Sequence, residues 1–183
     1  VGPGRGLDRF VSAWARTSLP SRLVLLGDVQ AGFDRQLLAN VPAARRDRIR
    51  LLPSVPPEAL PSVIAAHDIG IALEEPAIVN RNLTITNKIL QYLNGGLAVV
   101  ASDTAGQREV LAHGPDAGVI VDRSDEDAFV RALDGLLADR AGLSVRQRAA
   151  RALAESTYCW EREAPRLLEL VGNTLRQPPG ASA

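Results

Sequence analysis

Asp68-Ile69-Gly70-Ile71-Ala72-Leu73 is a short apolar run, and residues 74–84 after it are polar and irregular, with Pro76, Asn80 and Asn82. Thr86-Asn87-Lys88-Ile89-Leu90-Gln91-Tyr92-Leu93-Asn94 follows, then Gly95-Gly96, then a second apolar run, Leu97-Ala98-Val99-Val100-Ala101. The two runs are too short for helices and lack the alternation of a half-exposed strand, so they read as strands buried on both faces. The segment between them predicts a helix over 86–94, stopped by a glycine pair that accepts the left-handed conformation. Strand, polar loop, helix and strand in this order form the unit of a parallel sheet. In such sheets, ligands bind in the loops that leave the C-terminal strand ends.

Outward from this unit the same alternation recurs. Leu7, Phe10, Val11 and Trp14 have helical spacing, and Leu23–Leu26 predicts a strand ending at Gly27-Asp28. A helix is expected over 33–41 with Leu37 and Leu38 inward, and a strand over 49–52 ending at Pro53. Pro56-Pro57-Glu58 opens a helix carrying Leu60, Val63 and Ile64, since proline fits a first turn whose N–H groups have no partner. Beyond the central unit, a helix over 107–112 and a strand at Val119–Val121 follow. Ser124 with Asp127 three residues on predicts a capping box for a helix with Phe129, Val130, Leu133, Leu136 and Leu137 inward. Two more helices are expected near 143–156 and 161–175. The expectation is one α/β domain over 1–176, a single Rossmann-like parallel sheet with helices on both faces, and a flexible tail over 177–183.

Composition narrows the function classes. Lys+Arg and Asp+Glu are both 21, a balance unlike the basic excess of a general nucleic-acid binder, so no nucleic-acid partner is expected. Cys159 is alone, which suits a reducing cytoplasm. No apolar run approaches the roughly 20 residues that span a bilayer. The chain opens Val1-Gly2-Pro3-Gly4, without methionine, which is compatible with an excised or processed piece. His67, His113 and Cys159 lack metal-ligand spacing, and there is no D-x-D segment, so no metal is expected. No G-x-G-x-x-G follows the first strand and no G-x-x-x-x-G-K-[ST] occurs. Of the 21 basic residues, 20 are arginine, and the one lysine is Lys88. The Arg- and Ala-rich usage suggests a bacterial genome rich in G and C.

The stretch Asp68–Glu109 resembles the donor-binding signature of group-1 (family 4) glycosyltransferases, roughly aDigl…sNKl.EYla.G.PVvasd..g..E. Gly4-Arg5-Gly6-Leu7 resembles the family's basic-glycine start, Leu25-Leu26-Gly27-Asp28 its first glycine loop, and Leu51–Leu60 its f.G.vp.eeL segment. Trp160-Glu161 resembles the start of its closing helix. The order is kept over nearly the whole chain.

The resemblance implies the C-terminal lobe of a GT-B fold, which holds a nucleotide-diphosphate sugar as substrate and needs no cofactor. It also implies a retaining transfer to a sugar or lipid-linked acceptor, in polysaccharide or glycoconjugate biosynthesis. The acceptor would be carried by an N-terminal lobe that this chain lacks. The expected location is cytoplasmic, with any membrane association through that missing lobe. Lys88 at a helix start suits a diphosphate, because the ammonium and the positive helix end act together. Arg5 is the second expected catalytic cation, with Gly4 allowing close backbone approach. The remaining expected donor contacts are Gly27, Pro53, Ser54, Thr84, Ile85, Thr86, Asn87, Gln91 and Glu109. Thr86 reads equally well as an N-cap. Gln91 departs from the family's glutamate, which would accept bonds from the ribose; an amide oxygen accepts but carries no charge. The earlier family glutamate is Leu83 here. Glu74-Glu75 could face the donor sugar, and reads more readily as a solvated pair. Gln91 keeps open a degenerate, non-catalytic module, and because this fold class hosts many functions a flavodoxin-like α/β interaction domain stays open as well.

Overall fold

The computed structural model describes residues 1–4 and 6–176, so Arg5 and the expected tail over 177–183 lie outside the described residues. Strands β1 (Leu23–Leu26) and β2 (Ile49–Leu52) pair in parallel, with Leu26 opposite Leu52. Strands β3 (Ile69–Ala72), β4 (Ala98–Ser102) and β5 (Gly118–Val121) form a parallel group in the order β3-β4-β5. One apolar core joins the two groups. Leu23 and Leu25 of the first pack with Ala98, Val100 and Val121 of the second, together with Phe10, Trp14, Phe33, Phe129 and Leu133 from helices. β4 is buried at all five positions, as its unbroken apolar run requires.

The helices are α1 (Leu7–Trp14), α2 (Phe33–Ala39), α3 (Ala43–Arg46), α4 (Leu60–Ala65), α5 (Val79–Leu83), α6 (Asn87–Asn94), α7 (Ala105–Ala112), α8 (Glu126–Ala138), α9 (Arg140–Ser156) and α10 (Trp160–Arg176). They cover both faces. α1 and α8 pack on the core described above, with Phe10 and Phe129 edge to face at 5.6 Å. α6, α7 and α9 build a second core on the other face, from Ile89, Leu93, Val110, Ala150 and Leu153 with Val99 and Ala101. Tyr92 of α6 lies against Gly70 of β3, where any Cβ would run into the ring, and burial pushes its phenol pKa up.

Several local expectations are corrected. Residues 74–84 are not wholly irregular, because α5 forms within them. Its apolar Val79 and Leu83 stay exposed, so no buried face announced the helix. Short α3 likewise buries no residue. Leu38, Val130 and Leu137 are only half-buried. α7 starts at Ala105, capped by Thr104, whose hydroxyl accepts from the Gln107 N–H. The capping box at Ser124 does not form. Asp125 caps α8 by accepting from the Ala128 N–H at 3.0 Å, while the Ser124 hydroxyl turns back to donate to Asp122 at 2.7 Å. A carboxylate is the stronger acceptor for a helix-end N–H, and it complements the helix dipole.

Candidate functional site

All strands end at the same edge within each group, and the first residues of the chain link the two edges. The Gln30 N–H, beyond β1, donates to the carbonyl of Val1 at 2.9 Å. Three residues on, the Gly4 carbonyl accepts from Arg81 of α5 at 3.1 Å. At Gly6 a side chain would collide with the guanidinium of Arg123, beyond β5. Gly4 and Gly6 have φ of 84° and 68°, a conformation that glycine adopts without penalty. Gly4, Gly6, Glu75, Pro76, Asp122 and Arg123 line a cavity of about 510 Å³ at this edge.

Gly27, at φ 126°, turns the chain out of β1, and its N–H is bonded to Leu52 at 2.9 Å. The two following loops are tied to each other. Ser54 N–H donates to the Asp28 carboxylate at 3.2 Å, and the Asp28 N–H donates to the Ser54 hydroxyl at 3.3 Å. Gly27, Pro53 and Ser54 are thus brought close together, with Pro53 and Ser54 exposed.

Lys88, in the first turn of α6, reaches the C-terminal end of β3, where its Nζ lies 2.6 Å from Oε1 of Glu74. Glu74 is only 4 % exposed, so the expected solvated acid pair is not found. A carboxylate this deep requires a counter-charge, and Lys88 supplies it while keeping about a third of its own side chain exposed. Glu74 is itself fixed by Ser102 at the end of β4. That hydroxyl is 2.7 Å from the Glu74 N–H and 3.1 Å from the Glu74 carbonyl oxygen. Glu75 is paired with Arg123. Thr86 takes the N-cap position of α6 with φ −89° and ψ 150°, but its side chain does not cap, and its buried Oγ1 has no partner. Thr84 ends α5, its hydroxyl donating to the Asn80 carbonyl at 2.6 Å. Thr84 and Ile85 are held from behind by α7, where a Cβ on Gly106 would stand 2.5 Å from the Thr84 carbonyl oxygen. Asn87 is exposed at the start of α6.

Residues 2–139 match the family model described as "Glycosyl transferases group 1". The chain belongs to this family. By sequence, no curated protein matches it. Solved structures show the shared fold at low identity. HepE from Anabaena, solved in complex with UDP, superposes with a TM-score of 0.78 at 17% identity, over 93% of this chain and 46% of that one. Sucrose-phosphate synthase from Thermosynechococcus elongatus gives 0.74 at 20%, over 93% of this chain and 42% of the other. The C-terminal domain of the group 1 glycosyl transferase LpcC from Francisella tularensis gives 0.72 at 17%, over 87% of this chain and 84% of that domain. This group 1 chain therefore has the α/β fold of a GT-B C-terminal lobe and spans less than half of the HepE and sucrose-phosphate synthase chains.

Two other expected contacts of this group 1 chain, Gln91 and Glu109, are exposed on helices. Gln91 is exposed one turn beyond Lys88 and lines a separate groove of about 310 Å³ with Pro57, Leu60, Asn94, Gly95 and Arg151. Glu109 is exposed on α7 and is close enough to Tyr158 that, after burial, its charge helps push that phenol's pKa up. Sequence reasoning overlooked Arg81 and Arg123, which flank the Gly4–Gly6 segment, and the burial of Glu74. A cation inside the polar connection was a usable signal for Arg81; nothing in the linear pattern marked Arg123. Among the described residues, no group of three or more His, Cys, Asp or Glu is placed to hold a metal ion, and no helix is long and apolar enough to cross a membrane.

Proposed function

We propose that this chain is the donor-holding half of a glycosyltransferase that moves a glycosyl group from a nucleoside-diphosphate sugar to an acceptor hydroxyl. The observation that carries the reading is Lys88. Its ammonium lies at the first turn of α6, beside Glu74 just beyond β3, and the next residue, Glu75, lines the cavity that Gly4 and Gly6 also line. An ammonium has three donors, and Glu74 takes one, leaving two for phosphate oxygens. HepE, of like fold, has been solved with UDP and with UDP-glucose, which supports a uridine diphosphate sugar as the first donor to try.

In this reading the diphosphate lies across the start of α6, against Lys88, Asn87 and the backbone of Thr84 to Thr86, with Gly4 approaching from the N-terminal segment and Arg5 assigned as the second cation from the sequence resemblance. Gly27, Pro53 and Ser54 edge the nucleoside. When the glycosidic bond to the phosphate breaks, negative charge grows on the leaving oxygen, and a cation already in position, Lys88, stabilises it. Transfer with retention and without a divalent metal belongs to the same proposal. So does an acceptor, sugar or lipid-linked, held by an N-terminal lobe in the cytoplasm. One wall of a cleft cannot orient two substrates, so the chain alone binds donor without turning it over. The apolar stripe of α10, with Leu167, Leu168, Val171 and Leu175 exposed, suits contact with that lobe.

The test is thermal denaturation with UDP and UDP-glucose, with and without EDTA. A ligand bound only by the folded chain raises the melting temperature. The expected result is a rise that saturates with ligand and is unchanged by EDTA. No rise at millimolar ligand would remove the donor-site reading, and a rise abolished by EDTA and restored by magnesium or manganese would remove its metal-free form.

A further inference from the structure

Glu74 has no role in the function proposed above beyond partnering Lys88, yet its position is costly. It is 4 % exposed, clamped through its backbone by Ser102, and its carboxylate touches the one ammonium assigned to phosphate. A structural carboxylate could have been paired with any arginine of this Arg-rich chain, as Glu75 is with Arg123. Instead it is built into the cation site and makes Lys88 half of a neutral pair.

The geometry bounds the consequence. A phosphate oxygen bonded to the Lys88 Nζ stands about 2.8 Å from it. Since Nζ is 2.6 Å from the Glu74 Oε1, that oxygen is at most about 5.4 Å from the carboxylate. Negative charge on the phosphate bonded to Lys88 is therefore repelled by Glu74 at short range, and charge on the other phosphate at a greater distance. A nucleoside-diphosphate sugar carries about two negative charges near neutral pH. The free diphosphate, with a terminal phosphate whose second pKa is about 6, carries about three. When Lys88 bonds the terminal phosphate, one extra unit charge at about 5.4 Å from Glu74 corresponds to about fourfold in affinity even at the dielectric of bulk water, and more where the site is drier.

We propose that Glu74 is a specificity-determining residue that biases the donor site against the free nucleoside diphosphate relative to its sugar ester. This rests on the donor-site reading. The intact donor, with its terminal phosphate esterified, is penalised less than the diphosphate that remains after transfer, so Glu74 favours release of that product. Lys88 keeps two donors for phosphate, so the arrangement weakens binding of the more highly charged ligand without abolishing either.

The experiment is calorimetric titration of UDP and of UDP-glucose into the 183-residue chain and into Glu74→Gln, at low and high salt. Glutamine matches the shape and keeps an acceptor for Lys88 without the charge. The expected result is that Glu74→Gln binds UDP more tightly and raises the affinity ratio of UDP to UDP-glucose by at least about threefold at low salt. The change should shrink as salt screens it. Glu74→Leu, which removes the same charge without a polar group, should move the ratio in the same direction. If both ligands change by the same factor, or the ratio falls, Glu74 does not discriminate by charge and the proposal is overturned while the donor site stands. If the parent binds neither ligand, the donor-site reading fails and this inference with it.

Discussion

At the scale of single residues, the Glu74–Lys88 contact changes how a lysine substitution must be read. Lys88→Ala removes the ammonium and also leaves a buried carboxylate without its partner. A charge-assisted contact to phosphate is worth on the order of 1.5–3 kcal/mol, so UDP binding should weaken at least about tenfold. The orphaned carboxylate should also lower stability by roughly 1–3 kcal/mol, discounted because Lys88 is partly solvated. Calorimetry and melting curves on Lys88→Ala and on Lys88→Ala with Glu74→Gln separate the two effects. The double variant should recover the melting temperature yet bind UDP at least about threefold more weakly than the parent. Parent-like UDP affinity in Lys88→Ala would end the assignment of Lys88 to phosphate. Lys88→Arg should recover only part of the binding, because the broad guanidinium fork does not fit where a compact ammonium sits. This pairing shows why part of the site was hidden in the linear sequence. Two adjacent acids read as solvated, and the counter-charge for the first lies 14 positions away, reached only once β3 and α6 are packed.

At the scale of elements, the central strand was legible because the continuous apolar run Leu97–Ala101 is buried throughout, and packing then agrees with local pattern. α5 was not legible because nothing in it is buried. The start of α8 shows a finer limit. Ser124 and Asp125 are both capping types, and only the fold shows that Asp125 holds the position while Ser124 serves Asp122. The Ala128 N–H holds the Asp125 carboxyl below the usual carboxylate range. A folded-state pKa below the unfolded value contributes stability above the unfolded pKa, near 3.9, and loses it as pH falls through the folded pKa. Asp125→Ala should therefore melt lower than the parent at pH 7, with the gap narrowing as pH is taken from about 5 to about 3. Asp125→Asn, which keeps an acceptor, should stay closer to the parent at pH 7. A gap that is constant across this range would show that the cap's charge contributes nothing. A steric prediction belongs to the same scale. Gly70→Ala would drive a Cβ into the Tyr92 ring across β3 and α6. Such overpacking typically costs about 1–3 kcal/mol, and a melting temperature equal to the parent's would show that the ring moves freely.

At the scale of the whole molecule, the described residues divide into a packed α/β body and a helix that adds little to it. α9 buries Leu143, Ala150, Leu153 and Ala154 in the body, whereas α10 buries none of its residues and, apart from Ala164 and Gly172, is exposed throughout. Stability follows apolar area removed from water, and α10 removes very little. Its amphipathic pattern, with Leu167, Leu168, Val171 and Leu175 on the outside, leaves an apolar stripe uncovered, which the function proposed above gives to the N-terminal lobe. A chain ending after Cys159 should therefore melt within about 4 °C of the parent, since about 1 kcal/mol shifts a domain of this size by about 2–4 °C. It should also bind UDP within about twofold, because no residue of α10 contributes to the edge that carries Lys88 and the glycine turns. A chain cut instead before Leu153 loses part of the second core and should not fold cooperatively. Melting curves and UDP titrations on the two truncations decide the matter. A collapse of the melting transition on removing α10 alone would mean that the helix is part of the body's own core, and its apolar face would then no longer speak for a missing lobe.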